Sequence, residues 1–140
     1  MEIRGYGKKD HVSVWIGKCN SMELFNAYIE KNYALVDEDD VSLFLLGNDF
    51  GIRTYDEDFS LVNYSEKPSK SLNILLDTGV PDYVVTHFIE QYGEELNEEY
   101  NCAVMFYDME YTGEVKQHKS EKFGEFVFLG SIYSNKFDML

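Results

Sequence analysis

The chain has 140 residues, is 44% hydrophobic and 16% aromatic, and carries a formal net charge of −14 from 26 acids and 12 bases. That length suits a single domain, residues 1–140, able to bury about two thirds of its unfolded surface, and so aromatic a composition excludes a disordered acidic tail. Gripping phosphates needs clustered Lys and Arg, so the charge excludes nucleic acid and an anionic membrane surface as partners.

The charge is segregated along the chain. Residues 37–115 hold 19 acids against three bases (Arg53, Lys67 and Lys70), which makes −16, while each end sums to about +1. Between Lys70 and Lys116 there is no base, yet ten carboxylates are interleaved with Tyr83, Tyr92, Tyr100, Tyr107 and Tyr111. Like charge repels itself and attracts anything basic. An acidic surface rich in tyrosine therefore suits a basic protein as partner.

In chain order, the first ten residues contain no apolar h-region, so no secretory signal is expected. No run approaches the 18 or more apolar residues of a membrane span. Residues 11–17, His-Val-Ser-Val-Trp-Ile-Gly, alternate Val12, Val14 and Ile16 with Ser13 and Trp15, the period of a strand. Trp15 is expected in the core under the helices. Cys19 and Cys102 belong to no CxxC motif and read as reduced, buried thiols. A soluble cytoplasmic protein is expected.

Asn20 followed by Glu23 resembles a capping box and predicts a helix to about Tyr33, with Phe25, Tyr28 and Ile29 on one side. The four acids Asp37, Glu38, Asp39 and Asp40 would complement the dipole of a short helix over 41–50, stopped by Gly51, although the apolar run 41–46 also suits a strand. Residues 55–59 read as an acidic connection and 60–64 as an edge strand. A helix is predicted over 70–77, with Gly79 as its stop. Pro81 suits the first turn of another helix, with Val84, Val85, Phe88, Ile89 and Tyr92 on its buried stripe and Glu94, Glu95, Glu98 and Glu99 at or beyond its far end. The apolar runs 102–107 and 126–133 predict two strands joined as a long hairpin by a charged loop, 112–123. The fold class expected is α+β: an antiparallel sheet of three to four strands with helices packed on it.

Chemical motifs are weak. Residues 49–51 spell Asp-Phe-Gly, but the chain has none of the other parts of a kinase. Asp56, Glu57 and Asp58 lack calcium-loop spacing, four consecutive carboxylates at 37–40 cannot all converge on one ion, and His11, His87 and His118 are isolated. Ser131 sits in no nucleophile elbow. No catalytic set, metal or cofactor is expected. With 26 acids, a pair at glycosidase-like distance arises whatever the function, so paired carboxylates carry little information.

Residues 11–17, 49–59 (Asp-Phe-Gly-Ile-Arg-Thr-Tyr-Asp-Glu-Asp-Phe), 106–111 (Phe-Tyr-Asp-Met-Glu-Tyr) and 126–133, taken in that order, resemble immunity protein family 22 of bacterial polymorphic toxin systems. The matching positions are Trp15, Gly17, Asp49, Phe50, Gly51, Asp56, Asp58, Tyr111 and Gly130. The resemblance implies a small cytoplasmic protein without enzymatic activity that neutralises a cognate toxin by binding it. Residues 112–123 and 134–140 fall outside it, so partner choice is assigned to them.

Charge and resemblance together give a first reading: an inhibitor of a toxin with a basic surface, a nuclease above all, acting as a monomer or weak homodimer. Its toxin-binding patch would be drawn from Asp37, Glu38, Asp39, Asp40, Asp56, Glu57, Asp58, Glu94, Glu95, Glu98 and Glu99, with Tyr55 and Tyr100 as anchors. Two other readings stay open: a small acidic hydrolase using paired carboxylates, and a regulatory interaction module without a toxin partner.

Overall fold

The structure, a computed structural model, describes residues 2–135. Five strands form one antiparallel sheet: β1 (Gly7–Lys18), β2 (Ser60–Ser71), β3 (Glu95–Met109), β4 (Gln117–Ser120) and β5 (Gly124–Tyr133), in the order β2-β3-β1-β5-β4. Helices cover both faces: α1 (Met22–Ile29) and α2 (Leu45–Phe50) on one, α3 (Leu72–Leu75) and α4 (Asp82–Tyr92) on the other. The α+β expectation holds, with five strands in place of three to four.

The two central strands explain the two apolar layers. Alternation along β1 sends Val12, Val14 and Ile16 under α3 and α4, and Trp15 under α1 and α2. Trp15 is fully buried among Phe50, Phe106, Tyr111 and Phe128, with ring centroids 4.8–5.8 Å apart. Burial of each such ring contributes roughly 1.5–3 kcal/mol. Ser13 shares the Trp15 side. Its hydroxyl donates to Met109 O at 2.8 Å and accepts from Tyr111 N at 3.0 Å, closing the end of β3 over the core.

Several boundaries differ from expectation for local reasons. Ser21, not Asn20, caps α1, accepting from Leu24 N at 3.1 Å, and the helix ends at Ile29 because Asn32 caps a separate 3₁₀ turn, Tyr33–Leu35. The Ser42 hydroxyl bonds Phe44 N and O, which holds 42–44 out of the helix, so α2 starts at Leu45 and ends on Gly51 in the left-handed region. Residues 65–71 stay in β2, leaving α3 a single turn capped by Ser71. The expected stripe on α4 is buried or half-buried, and Pro81 sits at its N-cap.

Two expectations about the sheet are corrected. The strands at 102–107 and 126–133 do not pair as a hairpin, because β1 lies between them and pairs with both. The charged segment 112–123 contains β4, which pairs with β5 through a turn at Gly124. β4 is a polar edge strand with no alternation of apolar residues to betray it. Glu94, Glu95, Glu98 and Glu99 lie beyond the far end of α4, as expected, Glu94 in the bend after it and the other three in the opening of β3.

Candidate interaction surface

Hydrogen bonds draw residues 30–43 and 53–58 to one end of the molecule. Asn32 N donates to Leu43 O at 2.7 Å, and Leu43 N to Arg53 O at 2.8 Å. The Arg53 guanidinium donates to Val36 O at 3.0 Å and to Val41 O, the two carbonyls that bracket the loop 37–40. A base thus ties down the loop from beneath. The four acids of that loop are exposed, with Asp40 in the left-handed region (φ 61°).

Lys31 is used in the same way. Its ammonium donates to Tyr55 O at 2.7 Å, lies 3.3 Å from Glu57 Oε1 and sits over the rings of Tyr33 and Tyr55, and its side chain is only 13% exposed. This end holds Glu30, Asp37, Glu38, Asp39, Asp40, Asp56, Glu57 and Asp58 against those two bases, eight acids against two, or −6. The inward turn of both bases leaves the outer surface to carboxylates. At the same end, four large apolar side chains face solvent: Tyr33 (61% exposed), Val36 (53%), Phe59 (49%) and Leu45 (40%). Acids interspersed with exposed apolar groups make a surface suited to a basic protein partner.

A groove of about 420 Å³ opens at this end between α1 and α2, and Leu35, Leu43, Phe44 and Leu45 are among its lining residues.

The remaining acids predicted for the patch lie elsewhere. Ser60 pairs with Phe106 and Ser69 with Tyr100, so six residues of β3, about 20 Å, separate the two acidic groups. Glu98 is paired with Lys18 at 2.8 Å, which holds its carboxyl below the usual range. Glu94 accepts from the Ser71 hydroxyl, and Lys18 and Lys70 line one groove with Glu98 and Glu99. The thirteen residues expected to form one patch are therefore divided between two ends of the sheet.

Tyr55 and Tyr100 are both buried and do not offer their rings to a partner. The Tyr55 hydroxyl donates to Ile29 O at 2.7 Å and its ring stacks on Phe106, while Tyr100 packs under α3 and α4. Tyr33, Val36, Leu45 and Phe59 take the exposed positions, and sequence reasoning missed them. The sequence places Tyr33 on a helix that in the structure stops four residues earlier, and it sets Leu45 in an apolar run that reads as core. The cap at Asn32 was the available signal for the first; nothing in the sequence distinguished the second.

Other acids serve the fold. Tyr28 donates to Asp49 Oδ2 at 2.5 Å, and His118 Nε2 lies 3.4 Å from the same oxygen, so the Asp-Phe-Gly tripeptide is structural. Glu110 is 3.1 Å from Lys8 and 3.3 Å from His11. His87 lies 3.0 Å from the Ser134 hydroxyl. Cys19 and Cys102 are free and buried, and burial pushes the Cys102 thiol up, away from reactivity. Among the described residues, no group of three or more His, Cys, Asp or Glu is placed to hold a metal ion, and no helix is long and apolar enough to cross a membrane.

A small α+β body, one antiparallel sheet covered by helices on both faces, is the class that this geometry defines. The family model described as immunity protein 22 matches residues 12–134, and the chain belongs to that family. The match includes residues 112–123, which the resemblance read from the sequence leaves out and which contain β4. Of the tail 134–140, also assigned to partner choice, residues 136–140 lie outside those described. No curated protein and no solved structure matches the chain.

Proposed function

We propose that this protein binds and neutralises a cognate toxin, without catalysis of its own, by placing its acidic end over a positively charged cavity of that toxin. Membership of an immunity family supplies the class of partner. The observation that carries the contact surface is the inward turn of Lys31 and Arg53 beneath eight exposed acidic residues, of which Glu57 alone is paired with one of those bases. A nuclease is the toxin class proposed, since its cavity must be cationic to hold phosphates and an acidic surface can compete for it. The acids near the start of β3 contribute long-range attraction rather than contact.

The test is co-expression with the toxin encoded beside this gene, followed by co-purification and a rescue assay. Wild-type protein should co-purify and rescue growth. Changing Asp37, Glu38, Asp39 and Asp40 together to Asn or Gln should weaken both, while the same change at Glu94, Glu95 and Glu99 should leave rescue intact. Equal loss from both sets would remove the assignment of the surface, and failure of the wild type to bind would remove the reading itself.

A further inference from the structure

We infer that the groove between α1 and α2 receives an apolar side chain from a segment of the toxin flanked by lysine or arginine. The inference rests on the proposed immunity function and names the contact that would anchor it. Leu43 and Phe44, both buried, contribute to the lining with Leu35, Ala27 and the half-exposed Leu45, and Glu30 stands among the same residues. The groove volume, about 420 Å³, admits one or two side chains of a partner.

Charge complementarity selects the occupant. The strand of chain that contributes Leu35 and Leu43 to the groove also carries, between them, the four exposed acids at 37–40. The one base in the lining, Lys31, has its ammonium engaged by Tyr55 O and Glu57. A neutral apolar segment would fill the groove but would desolvate nearby carboxylates without compensation. A segment with a basic residue on either side of its apolar one satisfies both. The apolar contact would set the dissociation rate and the flanking charges the association rate.

Ala27 is the residue through which to test it, because it is exposed on α1 and lines the groove. Ala27→Arg keeps a good helix former while filling the groove and adding a like charge against a basic partner; Ala27→Gln adds length without charge. Against the toxin of the adjacent gene, Ala27→Arg should weaken binding on the order of thirtyfold, with Ala27→Gln intermediate and the thermal midpoint of both variants unchanged. In parallel, ¹⁵N-labelled wild-type protein is titrated with a synthetic peptide alternating lysine and leucine and with oligolysine of equal length. The lysine–leucine peptide should shift the amides of Ala27, Leu35, Leu45 and Asn48 together with those of 37–40, and oligolysine should shift only the acidic segments. If Ala27→Arg binds and neutralises like the wild type, the groove is overturned and the acidic-surface reading stands. If the wild type binds no toxin, that reading fails, and the peptide titration alone decides the groove: groove shifts with the lysine–leucine peptide support it, and identical responses to the two peptides overturn it.

Discussion

Arg53 shows how one side chain can organise a surface to which it contributes no outward charge. A guanidinium presents several donors in a fixed plane, so it can satisfy Val36 O and Val41 O at once. Arg53→Lys concentrates its donors on one nitrogen in place of the two that reach these carbonyls, so at least one bond should be lost, at about 0.5–1.5 kcal/mol since water can take its place at Val36 O. Urea denaturation should show that loss, and hydrogen exchange at 37–40 should quicken; unchanged exchange would mean that the loop is held by other contacts. Tyr111 offers a second case. Its hydroxyl lies 2.9 Å from Phe50 O at the end of α2 and 2.8 Å from Val115 O, a position that ties α2 to the segment before β4. Tyr111→Phe keeps the ring among Trp15 and Phe128 and removes only the hydroxyl, whose single proton the two carbonyls share, so a loss of about 1–2 kcal/mol is expected with the urea m-value unchanged. Neither role can be inferred from residue type, because the carbonyls concerned are 12, 17, 61 and 4 residues away.

Among the elements, the β4–β5 turn is the most demanding. Gly124 has φ +87° and a Cβ there would lie 1.8 Å from Lys18 O, so backbone meets backbone with nothing flexible to yield. Gly124→Ala should destabilise the whole fold by more than about 1 kcal/mol, where the same change at an unstrained position would stabilise it slightly, and thermal melting would reveal it; a wild-type midpoint would mean that the turn rearranges freely. Elements with a strong local pattern were legible in the sequence. β1 alternated, α4 carried its stripe, and Gly51 stopped α2 as expected. Those whose extent depends on a neighbour were not. β2 and β3 run several residues past their apolar segments because they pair with each other there, and β4 exists because β5 offers an edge.

For the molecule as a whole, the uneven field has a kinetic consequence. Steering by opposite charge can bring association toward ~10⁸–10⁹ M⁻¹s⁻¹ at low salt, and a Debye length of about 8 Å at physiological ionic strength screens it. Stopped-flow mixing with the toxin should therefore show the association rate falling as salt rises, and a rate indifferent to salt would exclude steering. The aromatic core makes a separate prediction about pH. Burial pushes the phenols of Tyr55, Tyr107 and Tyr111 up to about 12, from an ordinary value of 10.0. The folded chain then holds protons that the unfolded chain releases, so their contribution is fully present below pH 10 and is lost as pH rises through 12. Phenolate absorbance from these three tyrosines should appear together with loss of circular dichroism; their ionisation near pH 10 in an intact fold would contradict the burial.

Composition and order along the chain were enough to establish an α+β body, an antiparallel sheet with helices packed on it and a belt of carboxylates between residues 37 and 115, since these depend on residue type and local period. The partition of that belt into two ends, the burial of Tyr55 and Tyr100 and the exposure of Tyr33, Val36, Leu45 and Phe59 were not accessible that way. Which way a side chain points follows from strand order and from hydrogen bonds between residues far apart in sequence. Those contacts form only when β1 inserts between β3 and β5 and when Arg53 and Lys31 find their carbonyls.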